Sequence, residues 1–216
     1  MRGGNRDKRA VGNDWPPFAE TMVGSARLAN VLDCTTRALA DGVPGDFVET
    51  GVWRGGTSIF MRGVLAALGD ADRRVWVCDS FQGLPVGTHE LDAPMRLHEA
   101  PQLAVGVDAV RAAFERYGLL DERVRFVEGW FRDTLPVLAT ELSSIALLRL
   151  DGDYYESTMD ALTNLAPLVS PGGFILVDDY GGIEACATAV DEYRAAHGIS
   201  APIHQVDWTG VWWRVE

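Results

Sequence analysis

Four aspartates follow two apolar segments of the chain. They are Asp151, Asp153, Asp178 and Asp179. The preceding segments, 147–150 and 173–177, are apolar except for Arg149, as expected of parallel strands buried on both faces. If these strands are neighbours, the carboxylates meet at the carboxyl edge of the sheet, where open α/β sheets bind ligands. Their repulsion then requires a positive partner, and a hard divalent cation is the simplest one. The alternative is a set of solvated strand ends.

A glycine-rich turn follows the first predicted strand, Asp46–Thr50. It reads Gly-Val-Trp-Arg-Gly-Gly over residues 51–56, and a helix is predicted to begin at Thr57 or Ser58. Glycines between a strand and a helix let a ligand approach the backbone and the helix N-terminus. The spacing is neither the G-x-G-x-x-G of a dinucleotide site nor the G-K-[ST] ending of a triphosphate loop. The turn is therefore either a site for another ligand, with Glu49 as an acceptor at the strand tip, or an ordinary tight connection.

The next predicted strand, Val75–Asp79, also ends in an acid. An acid at this place commonly binds the ribose hydroxyls of an adenosine cofactor, so Asp79 is predicted to bind ribose rather than only to cap the next turn. The segment 80–104 is long for a connection and is expected to be functional or mobile. Trp130, which follows the third predicted strand at 124–128, either flanks a flat base or belongs to the core.

Five strand–helix units precede a closing hairpin with strands at 203–206 and 211–215. This alternation predicts a parallel sheet with helices on both faces. The expected fold is the class I methyltransferase fold, a Rossmann-like α/β fold whose seven-stranded, mostly parallel sheet ends in a C-terminal antiparallel hairpin. Before the first strand, five residues recur at helical spacing and predict an amphipathic helix over 25–40. They are Leu28, Val31, Leu32, Thr35 and Leu39.

The composition argues against several classes of function. The formal net charge of −12 disfavours nucleic acid or an anionic membrane as a partner. Lys8 is the only lysine, which disfavours Schiff-base chemistry and a P-loop. No apolar run has the length of a membrane span, and the three cysteines form no C-x-x-C pair, so a cytoplasmic protein with reduced thiols is expected. The length predicts one domain over 15–216, after a loose N-terminal tail over 1–14.

Five segments resemble those of the macrocin O-methyltransferase family. They are Thr21–Gly24, Glu49–Gly56, Asp79–Gly83, Asp151–Asp153 and Val177–Tyr180. The resemblance runs from Trp15 to the C-terminus. It implies an enzyme that uses S-adenosylmethionine and Mg²⁺ to methylate a deoxysugar hydroxyl of an antibiotic. It also implies a small-molecule glycoside as substrate and a homo-oligomer, expected to be a dimer. Family members usually carry a few dozen more residues ahead of Trp15, close to the substrate pocket, and the resemblance does not cover that part.

The resemblance also implies roles for individual residues. Asp151, Asp178 and Asp179 are implied as metal ligands and Asp153 as the general base. The implied cofactor contacts are Thr21, Met22, Glu49, Thr50, Gly51, Ser58, Asp79, Ser80, Gly129, Trp130 and Asp151. The implied metal ion and general base are consistent with methylation of a sugar hydroxyl, because such a hydroxyl is a weak acid. A metal ion that lowers the pKa of the hydroxyl and a carboxylate that accepts its proton both suit methyl transfer from a sulfonium donor.

Two other functions stay open. A catechol-type O-methyltransferase would use the same sheet and metal on an aromatic diol. A non-catalytic module would bind S-adenosylmethionine without transferring its methyl group. A nicotinamide dehydrogenase is disfavoured, because the glycine spacing differs and the sequence has no Tyr-x-x-x-Lys motif.

Overall fold

Seven strands form one sheet in the computed structural model, which describes residues 8–216. The strands are β1 (Asp46–Thr50), β2 (Val75–Asp79), β3 (Val124–Glu128), β4 (Ile145–Leu150), β5 (Val169–Val177), β6 (His204–Gln205) and β7 (Val211–Arg214). Their order across the sheet is β3-β2-β1-β4-β5-β7-β6. The pairs among β1 to β5 are parallel, whereas β7 runs antiparallel to both β5 and β6. The predicted fold class is confirmed.

Helices cover both faces of the sheet. They are α1 (Ser25–Ala40), α2 (Gly56–Ala67), α3 (Val107–Arg116), α4 (Phe131–Glu141), α5 (Tyr155–Leu165) and α6 (Glu184–Ala196). Successive residues of β4 face opposite sides, so Leu147 belongs to the core that includes buried residues of α1, α2 and α3, and Leu148 to the core that includes those of α4, α5 and α6. Burial on both faces is the reason that the strand is an almost unbroken apolar run. Within residues 8–216, no helix is both long and apolar enough to cross a membrane.

The register of the central strands brings their carboxyl ends to one level. Thr50 pairs with Leu150, and Leu150 pairs with Val177. The next residues continue the ladder, since the Asp151 N–H donates to the Thr50 carbonyl (2.8 Å) and the Asp178 N–H donates to the Leu150 carbonyl (2.9 Å). The two strands that end in acids are therefore neighbours, as the sequence analysis required.

The helix predicted over 25–40 is confirmed as α1, and its buried face agrees with the predicted one only in part, at Val31 and Thr35. Its buried residues are Arg27, Val31, Cys34, Thr35 and Ala38. Leu32, which the helical spacing placed on the core-facing side, is 42% exposed. The buried stripe thus includes an arginine at its N-terminal end and excludes a leucine, because the partners of Arg27 come from distant parts of the chain.

Residues 8–14 belong to the predicted loose tail, of which residues 1–7 lie outside the described part of the chain. The guanidinium of Arg9 donates hydrogen bonds to three successive carbonyl oxygens. They are those of Thr21 (2.7 Å), Met22 (2.8 Å) and Val23 (3.1 Å). One guanidinium with several donors therefore ties residues 8–14 to the segment before α1.

Candidate active site

Three aspartates at the ends of β4 and β5 converge. One carboxylate oxygen from each of Asp151, Asp178 and Asp179 lies within 4.8 Å of the other two. Asp153 joins this group, because its backbone N–H donates to Asp179 Oδ2 at 3.3 Å. The structure therefore brings together the four acids that were expected at neighbouring strand ends. Three carboxylate oxygens so close together suit a hard cation such as Mg²⁺, so these residues fit the implied metal ion.

A buried arginine, to which the sequence analysis gave no role, links these acids to β1. Arg149 of β4 is 2% exposed. Its guanidinium donates to Glu49 Oε1 (2.6 Å), Asp151 Oδ2 (2.8 Å) and Asp178 Oδ1. The planar guanidinium offers several donors in a fixed geometry, so one side chain holds three carboxylates in place. A sequence signal was present, because a charged residue in a strand buried on both faces is seldom unpaired.

Arg27 of α1 is the second buried guanidinium of the site. It donates to Asp178 Oδ2 and, through Nε, to Asp207 Oδ2 at 3.0 Å. It also donates to the Gly12 carbonyl at 3.3 Å. Asp178 therefore has an arginine on each of its carboxylate oxygens, which fixes the orientation of this side chain. Local sequence pattern gives no sign of this role for Arg27, because Asp178 and Asp207 are remote from it in the chain.

The two arginines do not neutralise the acids completely. Burial and the neighbouring carboxylates raise the pKa of Asp153 to about 8. The same two causes raise the pKa of Asp179 well above its ordinary value. Burial also raises the pKa of Asp178, although Arg149 and Arg27 oppose the shift. Carboxyl groups that hold their protons so strongly indicate a surplus of negative charge, which a divalent cation would relieve.

Backbone N–H groups, and not arginines, compensate the carboxylate at the end of β2. Asp79 accepts hydrogen bonds from the N–H groups of Val52 (2.8 Å), Trp53 (3.4 Å) and Phe81 (2.8 Å). Burial raises the pKa of Asp79, and these three bonds lower it. Trp53 and Phe81 have φ angles of 50° and 56°, the left-handed conformation in which turns direct N–H groups at an anion. Such strain in non-glycine residues is typical of binding sites.

Gly51 allows the turn after β1 to approach β4. Its φ is +86°, and a Cβ at this position would overlap the carbonyl oxygen of Asp151. A larger residue would therefore force the turn after β1 and the acids of β4 apart. The glycine at this strand end is required by close backbone packing as well as by its left-handed conformation.

Two cavities open at the carboxyl edge of the sheet. The larger measures about 320 Å³, and seven predicted cofactor residues line it. They are Met22, Gly51, Asp79, Ser80, Gly129, Trp130 and Asp151. The smaller measures about 200 Å³, and all four acids line it together with the predicted cofactor residues Thr21, Met22 and Glu49. Both cavities are lined by Asp151 and Asp153, so molecules bound in the two cavities would meet at these acids.

Two predicted cofactor residues lie behind the cavities. Thr50 and Ser58 are 1% and 0% exposed, and neither lines the larger or the smaller cavity. Ser58 Oγ donates a hydrogen bond to Glu49 Oε2. Burial raises the pKa of Glu49 to about 7, although Arg149 and Ser58 lower it. The position of Ser58 thus supports Glu49, which itself lines the smaller cavity.

The long segment 80–104 forms part of the cavity walls. Asp92 is fully buried and caps α5 by accepting hydrogen bonds from the N–H groups of Tyr155 (2.6 Å) and Glu156 (3.0 Å). The Leu97 N–H donates to the Tyr154 hydroxyl at 2.9 Å. Residues 83–86 and 103 of this segment line the larger cavity. Sequence reasoning missed Asp92, because its helix begins 63 residues further along the chain.

A sheet of this order, with a glycine turn after β1, an acid at the end of β2 and acids after β4 and β5, defines a class I methyltransferase. The sequence model of the macrocin O-methyltransferase (TylF) family matches residues 2–215, and the chain belongs to this family. The resemblance drawn from short segments is therefore confirmed. The chain is an O-methyltransferase, and S-adenosylmethionine is its methyl donor.

Characterised relatives are similar over nearly the whole chain. The 8-demethyl-8-(2,3-dimethoxy-alpha-L-rhamnosyl)-tetracenomycin-C 4'-O-methyltransferase of Streptomyces olivaceus is 60% identical over 212 residues, 96% of this chain and 80% of that protein. The mycinamicin III 3''-O-methyltransferase of Micromonospora griseorubida is 52% identical over 214 residues, 96% of this chain and 83% of that protein. The solved structure of the O-methyltransferase NovP has a TM-score of 0.94 at 50% identity, covering 97% of this chain and 87% of NovP.

Proposed function

We propose that this enzyme transfers the methyl group of S-adenosylmethionine to a deoxysugar hydroxyl of a glycosylated natural product, with Mg²⁺ as a cofactor. The observation that carries the proposal is the position of the acids. Asp151, Asp178 and Asp179 bring three carboxylate oxygens within 4.8 Å of one another, beside the wall that the two cavities share. The name of the 60% identical relative, a methyltransferase of a rhamnosyl tetracenomycin, supports a sugar hydroxyl as the acceptor.

The larger cavity is the proposed site for the methyl donor. Backbone N–H groups orient the carboxylate of Asp79, which lines this cavity and is the proposed acceptor for hydrogen bonds from ribose hydroxyls, in exchange for its two longer contacts, those with the Trp53 N–H and the Ser80 hydroxyl (3.4 Å each). Trp130 lines the same cavity and offers an aromatic surface for the adenine. Gly51 keeps this cavity in contact with the acids of β4. The donor is thereby oriented toward the smaller cavity, and orientation alone lowers the barrier to a displacement reaction by several kcal/mol.

Asp151, Asp178 and Asp179 are the proposed ligands of Mg²⁺, and Arg27 and Arg149 hold Asp178 in position for this role. When bound, the ion would supply Lewis-acid chemistry that lowers the pKa of a sugar hydroxyl.

Asp153 is the proposed general base. It lines both cavities, and its φ of +58° is a strained conformation of the kind found at functional sites. Without metal, burial and neighbouring carboxylates raise its pKa to about 8, and a bound Mg²⁺ would offset the neighbouring carboxylates and favour the ionised form that accepts a proton. Asp153 therefore accepts the proton of the hydroxyl as the oxygen attacks the methyl group, and a base so placed accelerates a reaction by roughly a hundredfold or more.

The test is a methyl-transfer assay with S-adenosylmethionine and an L-rhamnosyl tetracenomycin. We expect one methyl group on the sugar by mass spectrometry, loss of activity with EDTA and recovery with Mg²⁺. Asp153→Asn is expected to lose turnover by about a hundredfold or more while its affinity for S-adenosylhomocysteine in calorimetry is retained. Full activity in EDTA would remove the metal from the mechanism, and full activity of Asp153→Asn would remove the base.

The same assay separates the alternatives. Methylation of a catechol with no reaction on the glycoside would indicate a catechol-type enzyme. Binding of S-adenosylmethionine with no transfer to either acceptor would indicate a non-catalytic module.

A further inference from the structure

The lining of the smaller cavity combines acids with aromatic rings. The acids are the proposed metal ligands and Asp153. The rings belong to three tryptophans, none of which the proposed chemistry uses. They are Trp15, Trp208 and Trp53, the last of which also lines the larger cavity. A cavity lined by both acids and aromatic rings suits an acceptor that carries hydroxyls as well as an apolar body.

Trp208 lies directly beside the segment that carries two of the acids. It belongs to the turn between β6 and β7, where the Thr209 hydroxyl donates to the Asp178 carbonyl at 2.9 Å. A Cβ on Gly182 would lie 3.1 Å from Cζ3 of the Trp208 ring, and a Cβ on Gly181 would lie 2.5 Å from the Trp208 carbonyl oxygen. Gly181 and Gly182 follow shortly after Asp178 in the chain and have no side chains. They therefore leave the space in which Trp208 packs.

The indole of Trp208 is held in one orientation. Its Nε1–H donates to the Val11 carbonyl at 2.8 Å, so the polar atom of the ring is already bonded within the protein. The side chain is nevertheless 49% exposed. What the ring presents at the cavity is consequently apolar surface, and a ring that is already ordered loses little entropy when a ligand covers it.

Trp15 is a second half-exposed ring at this cavity, whereas Trp53 is covered. Trp15 is 51% exposed. Trp53 donates through Nε1 to the Gln102 carbonyl (2.8 Å), and the Arg54 guanidinium lies over its ring at 4.2 Å. Val11, whose carbonyl holds Trp208, is 47% exposed. Exposed large apolar side chains that cluster at one opening are characteristic of a binding surface.

The size of the cavity shows which part of an acceptor reaches these rings. A volume of about 200 Å³ is smaller than the roughly 300–1,000 Å³ of pockets that enclose drug-sized ligands. A glycoside whose sugar sits at the acids must therefore leave its aglycone at the opening. Trp15 and Trp208 both line the cavity and are half exposed, so their rings connect the cavity to the surrounding solvent.

We propose that Trp208, together with Trp15, binds the apolar aglycone of the acceptor outside the cavity in which the sugar is methylated. This inference rests on the proposed function, since it requires a glycoside as substrate. Trp208 is the main determinant, because its hydrogen bond and the packing of Gly182 fix its ring. Trp208 and Trp15 therefore favour glycosides that carry an extended apolar aglycone over the free sugar and over its simple glycosides.

The test compares two acceptors that carry the same sugar, an L-rhamnosyl tetracenomycin and methyl α-L-rhamnoside. We expect Trp208→Ala to raise KM for the tetracenomycin glycoside about tenfold, and to leave kcat/KM for the methyl rhamnoside within about twofold of the wild-type value. Trp208→Phe keeps an aromatic ring but loses the hydrogen bond to the Val11 carbonyl, so it is expected to recover only part of the loss. The control is Phe18→Ala, because Phe18 is 93% exposed but does not line the cavity, and it should change neither acceptor.

Each other outcome has a defined meaning. Equal losses of kcat/KM on both acceptors, or no loss on either, would overturn the assignment of Trp208 to the aglycone. A change from dimer to monomer in Trp208→Ala, measured by light scattering, would show that the rings are covered by a second copy of the chain and would also overturn it. If the wild-type enzyme methylates neither acceptor, the proposed function fails and this inference fails with it. Unchanged affinity of the variants for S-adenosylhomocysteine shows that they are folded.

Discussion

The two cavities compensate their buried carboxylates by different means. Asp79 of the larger cavity accepts hydrogen bonds from three backbone N–H groups. Asp178 of the smaller cavity is bound by the guanidinium groups of Arg27 and Arg149. Backbone dipoles stabilise the carboxylate of Asp79 without neutralising it, so it remains a strong acceptor for neutral hydroxyls. Guanidinium groups contribute full charges, and the acids of the smaller cavity still exceed them.

This difference explains which ligand each cavity suits. A neutral hydrogen-bond donor such as a ribose hydroxyl suits Asp79, a single carboxylate whose orientation is fixed by the backbone N–H groups of the turns. A cluster of acids with raised pKa values needs a further positive charge, which the proposed divalent cation would supply. Substitutions in the two cavities are therefore expected to affect different measured quantities.

The largest effect is expected from Arg149→Met. The substitution keeps most of the side-chain volume but leaves Glu49 and Asp178 in the interior with less compensation. Removing one partner of a buried ion pair typically costs about 3–5 kcal/mol, so the free energy of unfolding in urea should fall by that order. The matched control is Arg96→Met. Arg96 pairs with Glu99 where both side chains are at least half exposed, and its loss should leave the urea midpoint unchanged. Equal effects of the two substitutions would contradict the role of Arg149.

The next effect is a dependence of stability on pH. Without metal, the pKa of Asp153 is about 8 in the folded protein, against about 4 in an unfolded chain. Between these values the folded state binds a proton that the unfolded chain has released, so this group lowers the stability as the pH rises from about 4 to about 8. Asp153→Asn removes the group. In EDTA, the melting temperature of the variant minus that of the wild type should therefore increase from pH 5 to pH 8.

Mg²⁺ provides the control for this pH effect. A bound cation compensates the acids, so the gain of Asp153→Asn over the wild type should shrink when Mg²⁺ is in excess. Parallel melting curves for the two proteins across pH in EDTA would show that Asp153 is ionised in the folded state as it is in the unfolded chain.

The sequence predicted those parts of the site that depend on local pattern. Apolar periodicity located the strands, and the end of each strand located Asp79, Asp151 and Asp178, because the carboxyl ends of parallel strands share one edge. The turn at Gly51 was visible from its glycines. These features are encoded within a few residues of one another, so no knowledge of tertiary contacts was needed.

The missed residues are those whose partners are distant in the chain. Arg27 lies 151 residues from Asp178, and Trp208 lies 197 residues from Val11. The spacing of leucines in α1 pointed to a face that includes Leu32, whereas the folded protein exposes Leu32 and buries Arg27. Helical periodicity favours apolar side chains for the core and cannot anticipate an arginine whose acids arrive from another strand.

The smallest effects are expected from matched substitutions in the two cavities. Asp79→Asn replaces one acceptor oxygen with an N–H group that would face backbone N–H groups, so affinity for S-adenosylhomocysteine should fall about tenfold. Asp179→Asn removes one proposed metal ligand, so affinity for Mg²⁺ should fall by roughly the same factor. Both dissociation constants are measured by calorimetry on each variant.

Each of these variants serves as the control for the other. We expect this because backbone N–H groups compensate the carboxylate of the larger cavity, whereas charged side chains compensate those of the smaller one. Asp79→Asn should then leave Mg²⁺ binding intact, and Asp179→Asn should leave S-adenosylhomocysteine binding intact. The cavities nevertheless share Asp151 and Asp153, so a cross effect on the second ligand is the specific result that would contradict their independence. Such a result would mean that donor and metal bind to one coupled group of acids, with the charge of Asp79, which contributes to the raised pKa of Asp153, as the link between the two cavities.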